Sequence, residues 1–319
     1  MLSRVADALF WTSRYLERAE QVARLLDVAF HLDLDLAGVV GGGYDLHWAA
    51  LMATLQQPAV FADRYPGLPA PQALMRWLST DAENPNGIAA CVARARANAR
   101  GVRGSLPNEV WKEINTLYWR LRDGDLVARA ADSPSDYYGA VEAGSHAVQG
   151  ACDALMARDE GWQFIQLGKN LERADVTTRS VDVHHELLRG LTDEADQPLA
   201  HLHWAAALRG CGAYHPYQRL HVGRVDPARV VDFLLTNPAV PRSTRFCLDA
   251  AAGALAEIRG DGGRADETRA ERLLGRARSD LRYADLGGLI GRPELHTFLD
   301  DLARRCAAAS LAVQEEYAG

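Results

Sequence analysis

Two stretches of the chain carry residue types suited to acid–base and anion chemistry, and they carry them in the same order. YLERAEQVARLLDV opens at Tyr15 and NLERADVTTRSVDV opens at Asn170. Each reads Leu-Glu-Arg-Ala, then an acid, then Arg four residues on and Asp three after that. At 100° per residue, a helix over 15–28 sets Tyr15, Leu16, Ala19, Val22, Ala23 and Leu26 on one apolar face. Glu17, Glu20, Arg24 and Asp27 then form a stripe at one edge of that face, with Arg14 and Arg18 on its other side. The second copy repeats the arrangement with Glu172, Asp175, Arg179 and Asp182, and Arg173 matches Arg18.

A carboxylate on such a stripe can serve as a general base, and a guanidinium can hold an acyl or phosphoryl oxygen. Glu17 and Glu172 are therefore the catalytic candidates, although no recognisable nucleophile accompanies them. The plain alternative is that Glu20–Arg24 and Asp175–Arg179 are surface pairs one turn apart, contributing a few tenths of a kcal/mol. A wet surface gives no reason to keep one order of charges twice. The expectation is thus a semi-buried network in which each carboxylate needs its guanidinium. Whether it only locks two halves together or also lines a pocket stays open at this level. Helical di-metal sites use Glu-x-x-His, whereas the steps here are Glu-x-x-Glu and Glu-x-x-Asp with arginine beside each pair. No metal or cofactor is expected. His184-His185 and the HLHW run at 201–204 read as packing residues.

The elements that position these groups are helices. Three- and four-residue apolar spacing runs through the first thirty residues and through PNEVWKEINTLYWRL, YYGAVEAGSHAVQGACDALM, RSTRFCLDAAAGALAEI and LHTFLDDLARRCAAASLAVQEEY, with almost no alternating pattern. The fold class is all-α. GVVGGG at 38–43, ENPNG at 83–87 and TNPAVPRS at 236–243 punctuate it. Glu17 and Glu172 stand 155 residues apart, His47-Trp48 and His203-Trp204 stand 156 apart, and Thr80 and Thr236 again 156. Such a period is too long for a solenoid. It predicts a single large helical domain over 1–319, built from two duplicated halves of about 1–155 and 156–319. A pseudo-two-fold axis would relate them, with the stripe helices near the centre. Two loops look suited to carboxylate or phosphate: NPNGI, ahead of a helix from about Ile88, and VPRSTR, with Pro241 at the first helical position beside Arg242, Ser243 and Arg245.

The 319 residues carry a net charge of -7, so nucleic acid is a poor partner. Only Lys112 and Lys169 are lysines; the remaining fixed side-chain cations are arginines. Five widely spaced cysteines with no C-x-x-C pair read as reduced, buried thiols. Arg4, Asp7 and Arg14 interrupt any leader-like core near the start, and no apolar run approaches a membrane span. A soluble cytoplasmic chain is expected, with no membrane partner.

The double LERA(E/D) signature, together with ENPNGI, ARANAR, NEVWKEIN, RDEGWQFIQLGKN, FLLTNPAVPRS and LHTFL in order, resembles the bacterial alpha-E family from end to end. The resemblance implies an all-helical protein that works beside, or fused to, a circularly permuted ATP-grasp protein, with a transglutaminase-like protein nearby and a peptide as substrate. It also implies that Arg14, Glu17, Arg18, Glu20, Arg24 and Asp27, their counterparts Glu172, Arg173, Asp175, Arg179 and Asp182, and Asn84, Asn98, Arg100, Asn115, Arg242 and Ser243 are signature positions. Ala97 stands where the family usually has an acid, which favours a binding or structural role at that point. Three functions follow as expectations: an accessory subunit of an ATP-grasp amide ligase that binds a peptide or amino acid through the stripe, an enzyme using a glutamate base on amide or acyl substrates, or a scaffold.

Overall fold

The computed structural model describes residues 1–37, 46–56, 64–65, 70–130, 133–189, 197–260 and 267–317. The GVVGGG run at 38–43 therefore lies outside the described residues. Every regular element among them is helical. In chain order they are α1 (Ser3–Ala37), α2 (Leu46–Thr54), α3 (Ala70–Ser79), α4 (Ile88–Gly101), α5 (Asn108–Arg120), α6 (Gly124–Arg129), α7 (Pro134–Leu155) and α8 (Glu160–Leu188). There follow α9 (Gln197–Gly210), α10 (Tyr214–Leu220), α11 (Pro227–Thr236), α12 (Thr244–Arg259), α13 (Arg269–Tyr283), α14 (Leu286–Leu289) and α15 (Pro293–Tyr317), and a short 3-10 turn at Arg103–Ser105 precedes α5.

The helices fall into two units that interleave along the sequence. The first holds Met1–Asp27, Gln57–Lys169 and Tyr317–Gly319; the second holds Val28–Gln56 and Asn170–Glu316. Each copy of the charged stripe belongs to a different unit: Glu17 to Asp27 to the first, Glu172 to Asp182 to the second.

In the first unit α5 packs on α7 and on α4. The core is built from whole apolar faces: Leu9 and Phe10 of α1, Ile114 and Leu117 of α5, and Tyr137 and Tyr138 of α7 are all fully buried. Two glycines allow close approach. A Cβ on Gly144 would meet the Leu117 side chain, and one on Gly168 would fall well inside contact with the Phe10 carbonyl and the Ser13 hydroxyl of α1. The Phe10 carbonyl is backbone and cannot swing aside. Gly168→Ala is therefore expected to lose about 1–3 kcal/mol of stability through overpacking, read from the urea midpoint. An unchanged midpoint would show that α8 lifts off α1 freely.

In the second unit α12 packs on α11 and α13, with Val230, Leu234, Leu248, Leu255, Leu274 and Leu299 buried between helices. α13 opens on a complete capping box from Thr268 and Glu271. The stripe segment of α8 departs from ordinary amphipathicity. Asn170, Glu172, Arg173, Thr177, Thr178 and Ser180 are all buried alongside Leu171, Ala174 and Val181. Two threonines show how polar groups are tolerated there: Thr178 bonds back to the Ala174 carbonyl at 2.7 Å, and Thr177 donates to the Arg242 carbonyl at 2.8 Å. All five cysteines are buried free thiols.

Candidate functional site

In the first unit α1 carries Glu20 and Arg24 one turn apart, so their side chains meet. Arg24 pairs with Glu20 and, at 2.8 Å, with Glu142 from α7. Glu20 is wholly buried and Arg24 retains 17% exposure. A guanidinium between two carboxylates is the arrangement a partly buried stripe needs, because each acid gains a counter-ion that replaces water. Burial pushes the Glu142 carboxyl upward; Arg24 opposes this, while Glu20 and Asp27 add to it. His146, exposed on α7, brings Nε2 to 3.6 Å from Glu20. One turn earlier on α1, buried Glu17 accepts a hydrogen bond at 3.2 Å from the Gln149 amide.

Glu17 also borders a cavity of about 30 Å3 lined by residues of α1, α5, α7 and the start of α8. Thr12, Ser13, Gln149, Gln166, Cys152 and Lys169 supply its polar groups, and Leu16, Val110, Ile114 and Val148 are among its apolar ones. Burial raises the Cys152 thiol to about 11, partly offset by Lys169, so it is protonated at neutral pH and a poor nucleophile.

The second unit repeats the theme with different partners. Arg179 is bonded to Asp175 at 3.0 Å. Asp182 accepts or shares a proton with His296 of α15, Nδ1 to Oδ1 2.8 Å. Burial raises the Asp182 carboxyl; His296 pulls it back, and the charges of Glu186 and Asp300 push it up. The His296 ring is raised in turn, chiefly by its bond to Asp182. Glu172 and Arg173 are buried in this segment. The expected semi-buried Arg/carboxylate stripe is thus present in both units, each with a histidine from a packing helix at its edge.

Other predicted residues are placed differently. Arg14 lies over the rings of Phe10 and Trp11, at 5.7 and 5.1 Å. Arg18 reaches Asn86 at 2.9 Å, which ties the stripe helix to the loop before α4. Asn84 is buried and builds that loop, donating to the Trp77 carbonyl and accepting from the Asn86 amide, both at 3.0 Å. Asn115 bonds Arg96 at 2.8 Å, and Arg96 stacks 4.4 Å from the Tyr118 ring. Asn98 and the exposed Arg100 make no bond to the stripe among the described residues, and Ala97 is exposed.

The loop before α12 corrects an expectation. Pro241 does not begin the helix: α12 starts at Thr244, and buried Ser243 is its N-cap, accepting from the Phe246 amide at 3.1 Å. Arg242 is buried and its carbonyl is taken by Thr177. One of the helix-start amides in VPRSTR is thereby taken by the protein's own cap, because the Ser243 hydroxyl lies within reach of it.

Sequence reasoning did not single out Glu142, His146, Gln149 or His296. The α7 spacing of four and then three residues puts Glu142, His146 and Gln149 on one helix face, a signal that resembles any solvent-facing polar edge.

The histidines of both His-Trp pairs lie in the second unit. His203 is fully buried and, among the described residues, neither ring nitrogen has a hydrogen-bond partner. The His184 ring stands 6.4 Å away and bonds the Ser180 carbonyl at 2.7 Å. His47 lies 3.3 Å from Asp33. Burial, with the charges of His184 and His47, pushes His203 down to about 4. Among the described residues no three His, Cys, Asp or Glu side chains are grouped to hold a metal ion, and no helix is long and apolar enough to cross a membrane.

Fold and site together define an all-helical protein with two Glu-Arg helices, each carrying a partly buried carboxylate–guanidinium stripe. The chain belongs to the Alpha-E family, described as a predicted alpha-helical domain with a conserved ER motif, whose model matches residues 1–318. The sequence carries Glu-Arg pairs at Glu17-Arg18 and Glu172-Arg173. Uncharacterised proteins of Mycobacterium bovis and of two Mycobacterium tuberculosis strains are each 26% identical over 306 residues, covering 88% of this chain and 32% of the relative. The chain spans about a third of the length of these curated relatives. No solved structure matches it.

Proposed function

We propose that this chain is the helical accessory subunit or module of an ATP-grasp-type amide ligase, and that it binds the amine-bearing amino-acid or peptide substrate along its stripe. One observation carries the reading. Along the first stripe the Arg24 guanidinium is shared between buried Glu20 and partly exposed Glu142, and the charge of Asp27 helps push the Glu142 carboxyl upward. In the second stripe Asp182 bonds His296, and its neighbours Glu186 and Asp300 pair with Arg189 and Arg304. A half-buried grouping of carboxylates favours an ammonium group, the nucleophile of amide synthesis once deprotonated. The family resemblance supplies the ATP-grasp partner, and the relatives carry sequence beyond the part matching this chain.

The test mixes the chain with a circularly permuted ATP-grasp protein from the same genome. A co-eluting complex and an amine-dependent rise in ATP turnover are expected. Two separate monodisperse species with unchanged ATP turnover would reject the reading and leave the scaffold. A second reading, with Glu17 as a general base, draws on its place beside the cavity. Turnover of amide or acyl substrates by the isolated chain would favour it.

A further inference from the structure

We infer that the cleft between α12 and α13 binds the phosphate group of a small phosphate monoester. The cleft lies within the second unit, draws on no residue of either stripe and measures about 280 Å3. A water needs about 10–15 Å3 of such space, so a small organic molecule fits. Arg245 and Asp249 stand one turn apart on α12, and Arg278 and Arg282 stand one turn apart on α13. Asp249 holds Arg278 Nε at 2.7 Å and lies 3.8 Å from Arg245 Nε. Arg245 Nη1 also reaches the Thr236 carbonyl at 3.5 Å. Arg282 lies over the exposed Tyr283 ring, 5.8 Å from its centre. Among the described residues, the Nη groups of Arg278 and Arg282 donate no hydrogen bond.

Charge and shape select the ligand. The lining holds three guanidiniums against one carboxylate, which leaves two positive charges. Arg278 and Arg282 also repel each other at the helical spacing where like charges destabilise. A bound dianion would relieve both. A phosphate monoester carries about -1.5 to -2 at neutral pH, with three acceptor oxygens on one compact centre. Guanidinium forks grip such oxygens in pairs. A single carboxylate brings too little charge, and a dicarboxylate spreads its two charges over separate centres. Ser279, three residues before Arg282, adds a hydroxyl to the lining. Ser279 and Tyr283 also border a second cleft of about 530 Å3, into which the organic part of the ester can extend. Gly275, one turn before Ser279, keeps the way clear: a Cβ there would stand in open space.

Calorimetric titration of the full chain at low ionic strength tests it, with glycerol 3-phosphate, inorganic phosphate, dimethyl phosphate, succinate and glycerol. Glycerol 3-phosphate is expected to bind at least as tightly as inorganic phosphate. It should bind at least about tenfold more tightly than singly charged dimethyl phosphate or succinate, and glycerol should not bind. Arg282→Gln should weaken glycerol 3-phosphate by about tenfold or more, with a melting temperature no lower than the parent's, because a repelling charge is gone. Gly275→Leu fills part of the cleft and favours the helix, so it should abolish binding without lowering the melting temperature. If either variant fails to melt cooperatively, the wild-type ligand series decides alone. Absence of saturable binding, equal affinity for succinate or dimethyl phosphate, or binding of inorganic phosphate without the ester would overturn the inference. So would an affinity left untouched in the folded variants, which would leave the arginines as a bridge between α12 and α13.

Discussion

Replacing Arg24 by Met is expected to lower the unfolding free energy by about 3 kcal/mol. The reason lies in what the substitution leaves behind. Glu20 is wholly buried and Glu142 partly so, and both use the Arg24 guanidinium. Methionine fills similar space, so lost packing contributes little, but two acids lose their counter-ion in a medium that solvates them poorly. Removing one partner of a buried pair typically costs about 3–5 kcal/mol, and the residual exposure of Arg24 places it at the low end. Glu142→Gln should cost about 1 kcal/mol or less, because burial already raises that carboxyl toward protonation. Urea unfolding of both variants measures the difference. If Arg24→Met stays within about 0.5 kcal/mol of the parent, the stripe is solvated and the network contributes nothing.

The second large effect is a loss of stability in mild acid, centred on His203. Its folded-state ring titrates at about 4, against 6.5 when exposed. A depressed histidine is neutral in the fold and readily protonated in the unfolded chain. Its contribution is therefore fully present above pH 6.5 and is lost as pH falls toward 4. Across that window the loss amounts to about 3 kcal/mol. The groups facing it work in one direction: His184 on α8 and His47 on α2 are cationic when protonated, and Asp33 lies beside His47 rather than His203. His203→Leu keeps the volume and sacrifices no hydrogen bond, since the ring nitrogens make none among the described residues. Stability profiles from pH 7.5 to 4.5 should converge on a shallower slope for the variant. Parallel slopes would remove His203 as the cause.

These two expectations also mark how far the residues alone reach. The order Glu20, Arg24, Asp27 and its repeat at 175–182 announces a charged edge on an apolar helix, and the i,i+4 pairs form as spacing dictates. Spacing within one helix says nothing about which helix lies across from it. Glu142 and His296 join the stripes from more than a hundred residues away, and their own local patterns match any wet helix face. The placing of Pro241 at the helix start failed for a related reason: cap geometry depends on which residue reaches the free amides first, and Ser243 does so two positions after the proline.

The helical class, the stripe, the buried thiols and the repeated His-Trp pairs are properties of periodicity and side-chain chemistry, and a linear chain displays them directly. Three features follow only from tertiary packing. These are the clamping of Arg24 between two helices, the crowding of His203 by other imidazoles, and the cavity where Glu17 meets Gln149 and Lys169. Each depends on desolvation by elements distant in sequence, and desolvation sets the strength of a charge and the acidity of a ring.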